Sequence, residues 1–443
     1  MFRIKNLFLT ERLFIALGIL AALFTVSFFL PWLFNAGVVL FFVLISLLII
    51  EYAMLFAKPN MMQGRRIMAE RLSNGDENDI DLYLENFYGF DIFCEVIDEI
   101  PHQFQKRDVL FSVAIPSSQT KILKYQLRPV KRGEYSFGAV NVFVSSVLKL
   151  VKRKYAFAND KLVPVYPSYI QMRHFELLAA SNRLTMLGVK KIRRIGHSME
   201  FEQIREYVAG DDYRTLNWKA TARKGQWMVN SFQDERAQNV YCLIDKGRVM
   251  KMPFHNMTLL DYAINSSLVL SNIALNKSDK AGIITFSNKV NNVLIADRKQ
   301  FQLQKINELL YAQKTNYLES DIEALYYTVR ENITQRSLII LFTNYETLRG
   351  LKRNLRYLRK MSAHHLLLVV FFENNELKEL AQKTATNIQE VYEQTIAEKF
   401  RFEKKQIVKE LHNLGIASIL TAPEQLTANT VNKYLEFKAR GLI

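Results

Sequence analysis

"VYCLIDKGRVM", Val240 to Met250, decides the carboxy-terminal half of the chain. Five apolar residues run without a break into Asp245, and Gly247 follows two positions later. An apolar run that short, stopped by a polar turn, reads as a strand buried on both faces. Four more runs of the same kind follow: "AGIITF" (Ala281–Phe286), "SLIILFT" (Ser337–Thr343), "HLLLVVFF" (His365–Phe372) and "IASIL" (Ile416–Leu420). Helical patterns separate them, among them "LLDYAINSSLVLSNIAL", "QLQKINELLYAQ", "DIEALYYTVRENI" and "LKRNLRYLRKM", with a long one through Glu393–Asn413. Strands alternating with amphipathic helices predict a doubly wound, Rossmann-like α/β domain over 237–443. Ligands of such sheets sit beyond the carboxyl ends of the strands, which directs attention to "LIDKGRVM", "KTNYLESDIEAL" and "LFTNYE".

Upstream the pattern changes. "NDIDLYLEN" (Asn78–Asn86), "VLFSVAI" (Val109–Ile115) and "GAVNVFV" (Gly138–Val144) alternate apolar and polar residues, with turn signals between them. Short strands at that spacing predict an immunoglobulin-like β-sandwich over 68–167. "KRGEYSFG" (Lys131–Gly138) reads as a turn in which Gly133 relaxes the backbone and Tyr135 enters the next strand. Residues 168–236 read as a linker holding a helix, the basic run "KKIRR" (Lys190–Arg194) and a dense charged segment.

The amino terminus is of a third kind. Leu13 to Ile50 is an uncharged run of 38 residues, about twice what one bilayer-spanning helix needs. "PWLFNAG" (Pro31–Gly37) supplies a turn in its middle. The reading is a transmembrane helical hairpin within 1–58, with spans at Leu13–Leu30 and Ala36–Phe56. Basic residues lie outside both ends: Arg3, Lys5 and Arg12 before, Lys58, Arg65 and Arg66 after. The positive-inside rule then puts both ends, and the soluble domains, in the cytoplasm. No small-residue cleavage site follows the first span, which disfavours a signal peptide. Two cysteines, Cys94 and Cys242, give neither a disulfide framework nor a zinc pattern. The net charge of +16 suits nucleic acid, anionic lipid or acidic protein alike.

"REYVAGDDYRTLNWKATAR" (Arg205–Arg223) is the dense segment. Adjacent residues on a strand point to opposite faces, so Asp211 and Asp212 do not converge unaided on a metal. No histidine lies between His197 and His255 to serve as a base at neutral pH. The reading favoured is a carboxylate–guanidinium brace, Asp211 with Arg205 or Arg214, a tight turn at Gly210, and Trp218 filling an apolar gap. Arg193, Arg194, Lys219, Arg223, Lys224, Tyr213, Trp218 and Trp227 interleave charge with stacking surface, but interspersed acids make nucleic-acid binding the weaker reading.

With Gly196, Glu200 and Phe201 upstream, the residues Arg205, Tyr207, Gly210, Asp211, Arg214, Asn217, Trp218 and Arg223 resemble the signature of a bacterial membrane family known as "domain of unknown function" number fifty-eight. The resemblance covers nearly the whole layout. It implies a MoxR-type AAA+ ATPase partner and a role in assembling other membrane or envelope proteins. The terminal domain resembles von Willebrand factor A domains, which hold Mg²⁺ through D-x-S-x-S, a Thr and an Asp. Asp245 matches the first Asp and Thr315 the Thr, but Gly247 and Val249 replace the serines and Asn344 the last Asp. That site is eroded, so no cofactor is expected and docking should withstand chelators. The reading is a non-enzymatic, bilayer-anchored scaffold on the inner membrane; the alternative is a metal-dependent hydrolase using acids near Asp211 or Asp245.

Overall fold

In the computed structural model, residues 6–106, 110–157, 160–180, 199–208, 211, 213–234, 237–382 and 387–442 are described. The chain divides into two units, Met1–Tyr166 and Pro167–Ile443. The segment read as a linker therefore belongs with the second unit, and it carries its own strands and helices.

In the first unit, strand β1 (Leu7–Leu9) precedes helices α1 (Glu11–Ser27) and α2 (Trp32–Phe56). Among the described residues one helix, α2, is long and apolar enough to cross a membrane. Helix α1, with 17 residues, is about 26 Å long, short of the roughly 30 Å hydrocarbon core. The helices fold back on each other, and Gly37 makes room: a Cβ there would stand 2.8 Å from Leu23. Large side chains stay bare along the pair, Phe14, Ile19, Phe28, Trp32 and Phe42 among them. In the last turns of α2, by contrast, one side is enclosed, with Glu51 and Leu55 buried. Glu51 accepts hydrogen bonds from the Ser146 hydroxyl (2.5 Å) and the Leu150 N–H (2.9 Å). The Leu55 carbonyl accepts from the Tyr88 hydroxyl and from Arg153.

The strands that follow are β2 (Met62–Met68), β3 (Leu72–Ser73), β4 (Asn78–Asn86), β5 (Ile92–Asp98), β6 (Leu110–Ile115) and β7 (Thr120–Leu127). After them come β8 (Gly133–Phe137), β9 (Val140–Ser145), β10 (Val151–Phe157) and β11 (Lys161–Tyr166). They form sheets of order β1-β10-β9-β5-β6, β2-β4-β7 and β3-β11-β8. Alternation puts one face of β4, β5 and β10 inside. Leu82 and Leu84 of β4 meet Val96, Val142 and Val144 of the five-stranded sheet in one core. Ile80 and Leu127 meet Phe137, Val163 and Val165 in another. Gly133 has φ +134°, which only glycine adopts readily. Arg66 forms an ion pair with Asp98 here, both side chains almost fully enclosed. The Tyr125 hydroxyl also donates to Asp98. Arg66 is thus a core residue, not a free juxtamembrane charge.

The second unit opens with α3 (Tyr169–Ala180), then β12 (Met199–Glu206), α4 (Trp218–Lys224) and β13 (Met228–Asp234), β12 and β13 pairing as an antiparallel ribbon. It continues through β14 (Asn239–Asp245), the short ribbon β15 (Pro253–Phe254) and β16 (Met257–Thr258), α5 (Leu259–Asn276), β17 (Lys280–Phe286), β18 (Val290–Asp297), α6 (Gln302–Tyr311), α7 (Ile322–Asn332) and β19 (Leu338–Phe342). It ends with α8 (Leu348–His364), β20 (Leu366–Phe372), α9 (Asn375–Gln382), α10 (Ile388–Asn413), β21 (Ala417–Thr421) and α11 (Leu426–Ala439). The sheet order is β18-β17-β14-β19-β20-β21. All neighbours are parallel except the edge strand β18, which returns antiparallel to β17. That strand was not anticipated; its polar "VNNV" start hides it from a search for buried runs. Helices cover both faces. Val240, Cys242 and Ile244 pack with α5 and α11, while Tyr241 and Leu243 pack with α7, α8 and α10.

Candidate functional site

Strand β14 is the centre of the α/β sheet. The chain leaves it on one side for β17 and β18, then returns to its other side as β19. Loops from the carboxyl ends of β14 and β19 therefore part in opposite directions and leave a crevice. A cleft of about 590 Å³ lies there, lined among others by Asp245, Ser320, Thr343, Asn344 and Tyr345.

Asp245 ends β14 and is 1% exposed. One carboxylate oxygen accepts from the Gly247 N–H (2.8 Å) and from the Ser320 hydroxyl. The other accepts from the Thr343 hydroxyl at 2.7 Å. Burial raises its pKa above the ordinary aspartate value, and the three donors pull it back. Burial and the Asp245 charge likewise raise the Tyr345 phenol.

Gly247 explains how the group closes. A Cβ at that position would lie 2.0 Å from the Ser320 Oγ and 3.1 Å from the Leu318 carbonyl oxygen. The Ser320 hydroxyl thus fills the space that a side chain at 247 would take. Sequence reasoning assigned the retained hydroxyl to Thr315; it does not line the cleft, and Ser320 and Thr343 hold the carboxylate instead. Ser320 directly precedes Asp321, the N-cap of α7, whose side chain accepts from the Ala324 N–H at 3.0 Å. Thr343 follows the last residue of β19. A hydroxyl at the mouth of a buried apolar strand was the signal available for it.

Asn344 lines the cleft, but its amide oxygen accepts from the Lys404 amine at 2.6 Å. An ammonium thus already occupies the acceptor that stands where a third metal ligand would be sought. Small divalent cations want about six oxygens in octahedral array. Among the described residues, no three His, Cys, Asp or Glu side chains are disposed to share an ion. The oxygens around Asp245 are already engaged: the Ser320 and Thr343 hydroxyls donate to it, and the Asn344 amide oxygen accepts from Lys404.

The signature segment forms a separate surface of the same unit. Arg205 grips Asp211 with two parallel hydrogen bonds, 2.8 and 2.5 Å, and the Val208 N–H adds a third at 2.9 Å. The Arg205 pairing leads the causes that lower the Asp211 pKa. Asn217 caps α4 by accepting from the Ala220 N–H (3.0 Å), and its amide donates to Asn230 on β13 (2.8 Å). Thr221 accepts from the Met228 N–H at 3.0 Å, and Gly225 ends the helix at φ +69°. The ring of Tyr207 meets Trp227 edge to face at 5.6 Å. Trp218 does not fill an apolar gap: it is 70% exposed. Trp227, Tyr213 and Val208 are also exposed, as are Lys219, Arg223 and Lys224. Gly196, Gly210, Asp212 and the basic run Lys190–Arg194 lie outside the described residues, as do the side chains of Glu200, Phe201 and Arg214.

Residues 203–411, which hold most of the ribbon and the Asp245 cleft, match the model of the family described as "Protein of unknown function DUF58". Over residues 203–411 the chain carries a DUF58 family domain. It is 26% identical over 238 residues to the uncharacterized protein YeaD of Bacillus subtilis, a match covering 52% of this chain and 59% of YeaD. It therefore spans less than two thirds of that relative's length. Among solved structures, the conserved hypothetical protein BatB of Bacteroides thetaiotaomicron is 11% identical, with a TM-score of 0.29 over 46% of this chain and the whole of BatB. A PapD-like domain of human CEP192 is 16% identical, with a TM-score of 0.19 over 24% of this chain and 87% of that domain. Neither likeness is close enough to carry an argument. Within the DUF58 domain, Asp211 is committed to Arg205 through both oxygens, and Asp245 is committed to neutral donors.

Proposed function

We propose that this DUF58 protein is a membrane-tethered scaffold that docks partner proteins, the first of them a MoxR-type AAA+ ATPase engaged in assembling or maturing envelope proteins. The observation that supports the reading is the solvent-exposed face of the signature. Trp218, Trp227 and Tyr213 stand bare beside Lys219, Arg223 and Lys224, although Arg205, Asp211 and Asn217 fix the backbone beneath them. Tryptophan, tyrosine and arginine are the residues that carry most binding energy in protein interfaces. A rigid base under bare aromatic rings suits docking better than catalysis. The test is co-purification of the full chain from solubilised membranes. The ATPase should be retained in the presence of chelator and lost when Trp218 and Trp227 are both changed to Ala. Capture that survives both changes would move the interface elsewhere, and a preparation free of any ATPase would remove the partner from the proposal.

The tether in this reading is an α1–α2 hairpin in the inner membrane, both ends cytoplasmic, beneath an immunoglobulin-like sandwich and a von Willebrand factor A-like domain. Strand β1, before α1, pairs with β10, and the last turns of α2 bind the same unit through Glu51 and Leu55. Both outer ends of the helical pair thus attach to one folded body, which favours two crossings over one. A cysteine placed at Asn35 should react with an impermeant maleimide from outside the cell. The native Cys94 and Cys242 are buried and give little background. Labelling only after the membrane is opened would reverse the topology or remove the second span.

A further inference from the structure

Next to the Asp245 cleft lies a second cavity, of about 360 Å³, at the carboxyl ends of β20 and β21. Its walls are mostly apolar, with Phe254, Leu259, Phe372, Leu377, Phe400 and Leu420 among them. Two cationic side chains of α10, one turn apart, line it as well: Arg401 and Lys404. Lys404 is only partly buried as a residue, and its amine end is the enclosed part. The amine donates to the Asn344 amide oxygen and lies 5.7 Å from the Phe371 ring centre. The Arg401 Nε is buried with no hydrogen-bond partner. Glu346, Glu373 and the exposed Lys405 complete the charges at the lining. No ion pair joins these five charged groups among the described residues.

An enclosed cation without a counter-ion is costly, and an apolar wall beside it makes the cost larger. Burial pushes the Lys404 amine down to about 8, although Glu346 nearby works in the opposite direction. Lys405 is exposed and solvated, so the unmet demand lies at Lys404 and Arg401, two donors on one wall that a single carboxylate can span and that a neutral ligand would leave without a counter-ion. We propose that this cavity binds a small monocarboxylic acid with an apolar tail, the carboxylate seated between the Lys404 amine and the Arg401 guanidinium. The tail lies against Phe254, Phe372 and Leu420. The volume is at the small end of the range for small-molecule sites, roughly 300–1,000 Å³, so the ligand is compact.

Phenylbutyrate is a suitable probe, with phenylbutanol as its uncharged counterpart. Both are titrated calorimetrically into the full chain in lipid nanodiscs, with empty nanodiscs as the blank. The acid should bind saturably and about tenfold or more tighter than the alcohol, since hydrogen bonds between charged groups are the stronger kind. Lys404→Met should erase that preference and leave the alcohol unchanged, and Arg401→Gln should weaken the acid in the same direction. Acid binding by the natural chain should decline as pH rises through about 8, where Lys404 gives up its proton, and the decline should be absent in Lys404→Met. The Met side chain removes an enclosed charge, so the thermal midpoint of the ligand-free variant should hold or rise, which separates lost binding from lost folding. Equal affinities for acid and alcohol, an undiminished acid affinity in Lys404→Met, or no saturable binding at all would each overturn the proposal.

Discussion

The pairs Arg66–Asp98 and Arg205–Asp211 differ in nearly every physical respect. Arg66–Asp98 lies inside the first unit, with side-chain exposures of 2% and 0%. Arg205–Asp211 lies in the charged segment Arg205–Arg223, with exposures of 40% and 20%. The first also takes the Tyr125 hydroxyl and the Gly138 carbonyl oxygen into its network; the second adds the Val208 N–H and the Glu206 carbonyl oxygen, both near the surface. Burial, more than the density of charge in the sequence, decides which pair holds a fold together. A paired buried charge has no solvent to fall back on when its partner is removed, whereas an exposed one does.

The largest expected effect breaks that comparison directly. Arg66→Met should destabilise the first unit by about 3–5 kcal/mol, the usual cost of stranding a buried carboxylate. Arg205→Met should change the second unit far less. Hydrogen–deuterium exchange of the full chain, read separately over Met1–Tyr166 and Pro167–Ile443, distinguishes the two. Comparable losses of protection would mean that the signature pair is a structural brace after all.

A second expectation concerns the space around Asp245. Gly247→Ser puts a side chain where the Ser320 hydroxyl sits, and overpacking of this kind costs about 1–3 kcal/mol. Adding Ser320→Ala should recover much of the loss, because the new serine then offers the hydroxyl that Ser320 gave up. Thermal unfolding of the two single variants and the double variant closes the cycle. Strict additivity would show that the two positions do not share that space.

Much of the architecture was legible because burial leaves a periodic trace. The five parallel strands were readable from unbroken apolar runs, and β4, β6 and β9 from alternation. Strand β18 was missed because an edge strand need bury only one face, and its asparagines look like a loop. The two apolar helices were readable from the absence of charge. Their bounds were not, because Pro31 begins the second helix instead of breaking it. The candidate site was half legible. Asp245 was found from its place after a strand. Ser320 and Thr343 were not, because hydroxyls converging on one carboxylate from residues 75 and 98 positions away leave no local pattern. Lys404 and Arg401 carry no signal of their own, since the sequence does not show which face of α10 meets an apolar wall. Trp218 was misjudged the other way, its size suggesting burial where the structure leaves it bare.

The smallest effect sharpens the contrast between the two aspartates by the sign of their pH dependence. The folded-state pKa of Asp245 is raised, so its stabilising contribution is complete below the unfolded value and declines as pH rises through the folded one. That of Asp211 is lowered, so its contribution is present above the unfolded value and declines as pH falls through the folded one. Asp245→Asn should therefore gain on the natural chain as pH climbs above the ordinary aspartate value, near 3.9. Asp211→Asn should gain on it only as pH drops below that value. Thermal midpoints of the full chain across the acid range give both slopes. The Asp211 slope should also flatten in high salt, because solvent ions reach an exposed pair and not an enclosed carboxylate. If the two slopes share a sign, the environment of one of these carboxylates differs from the geometry described.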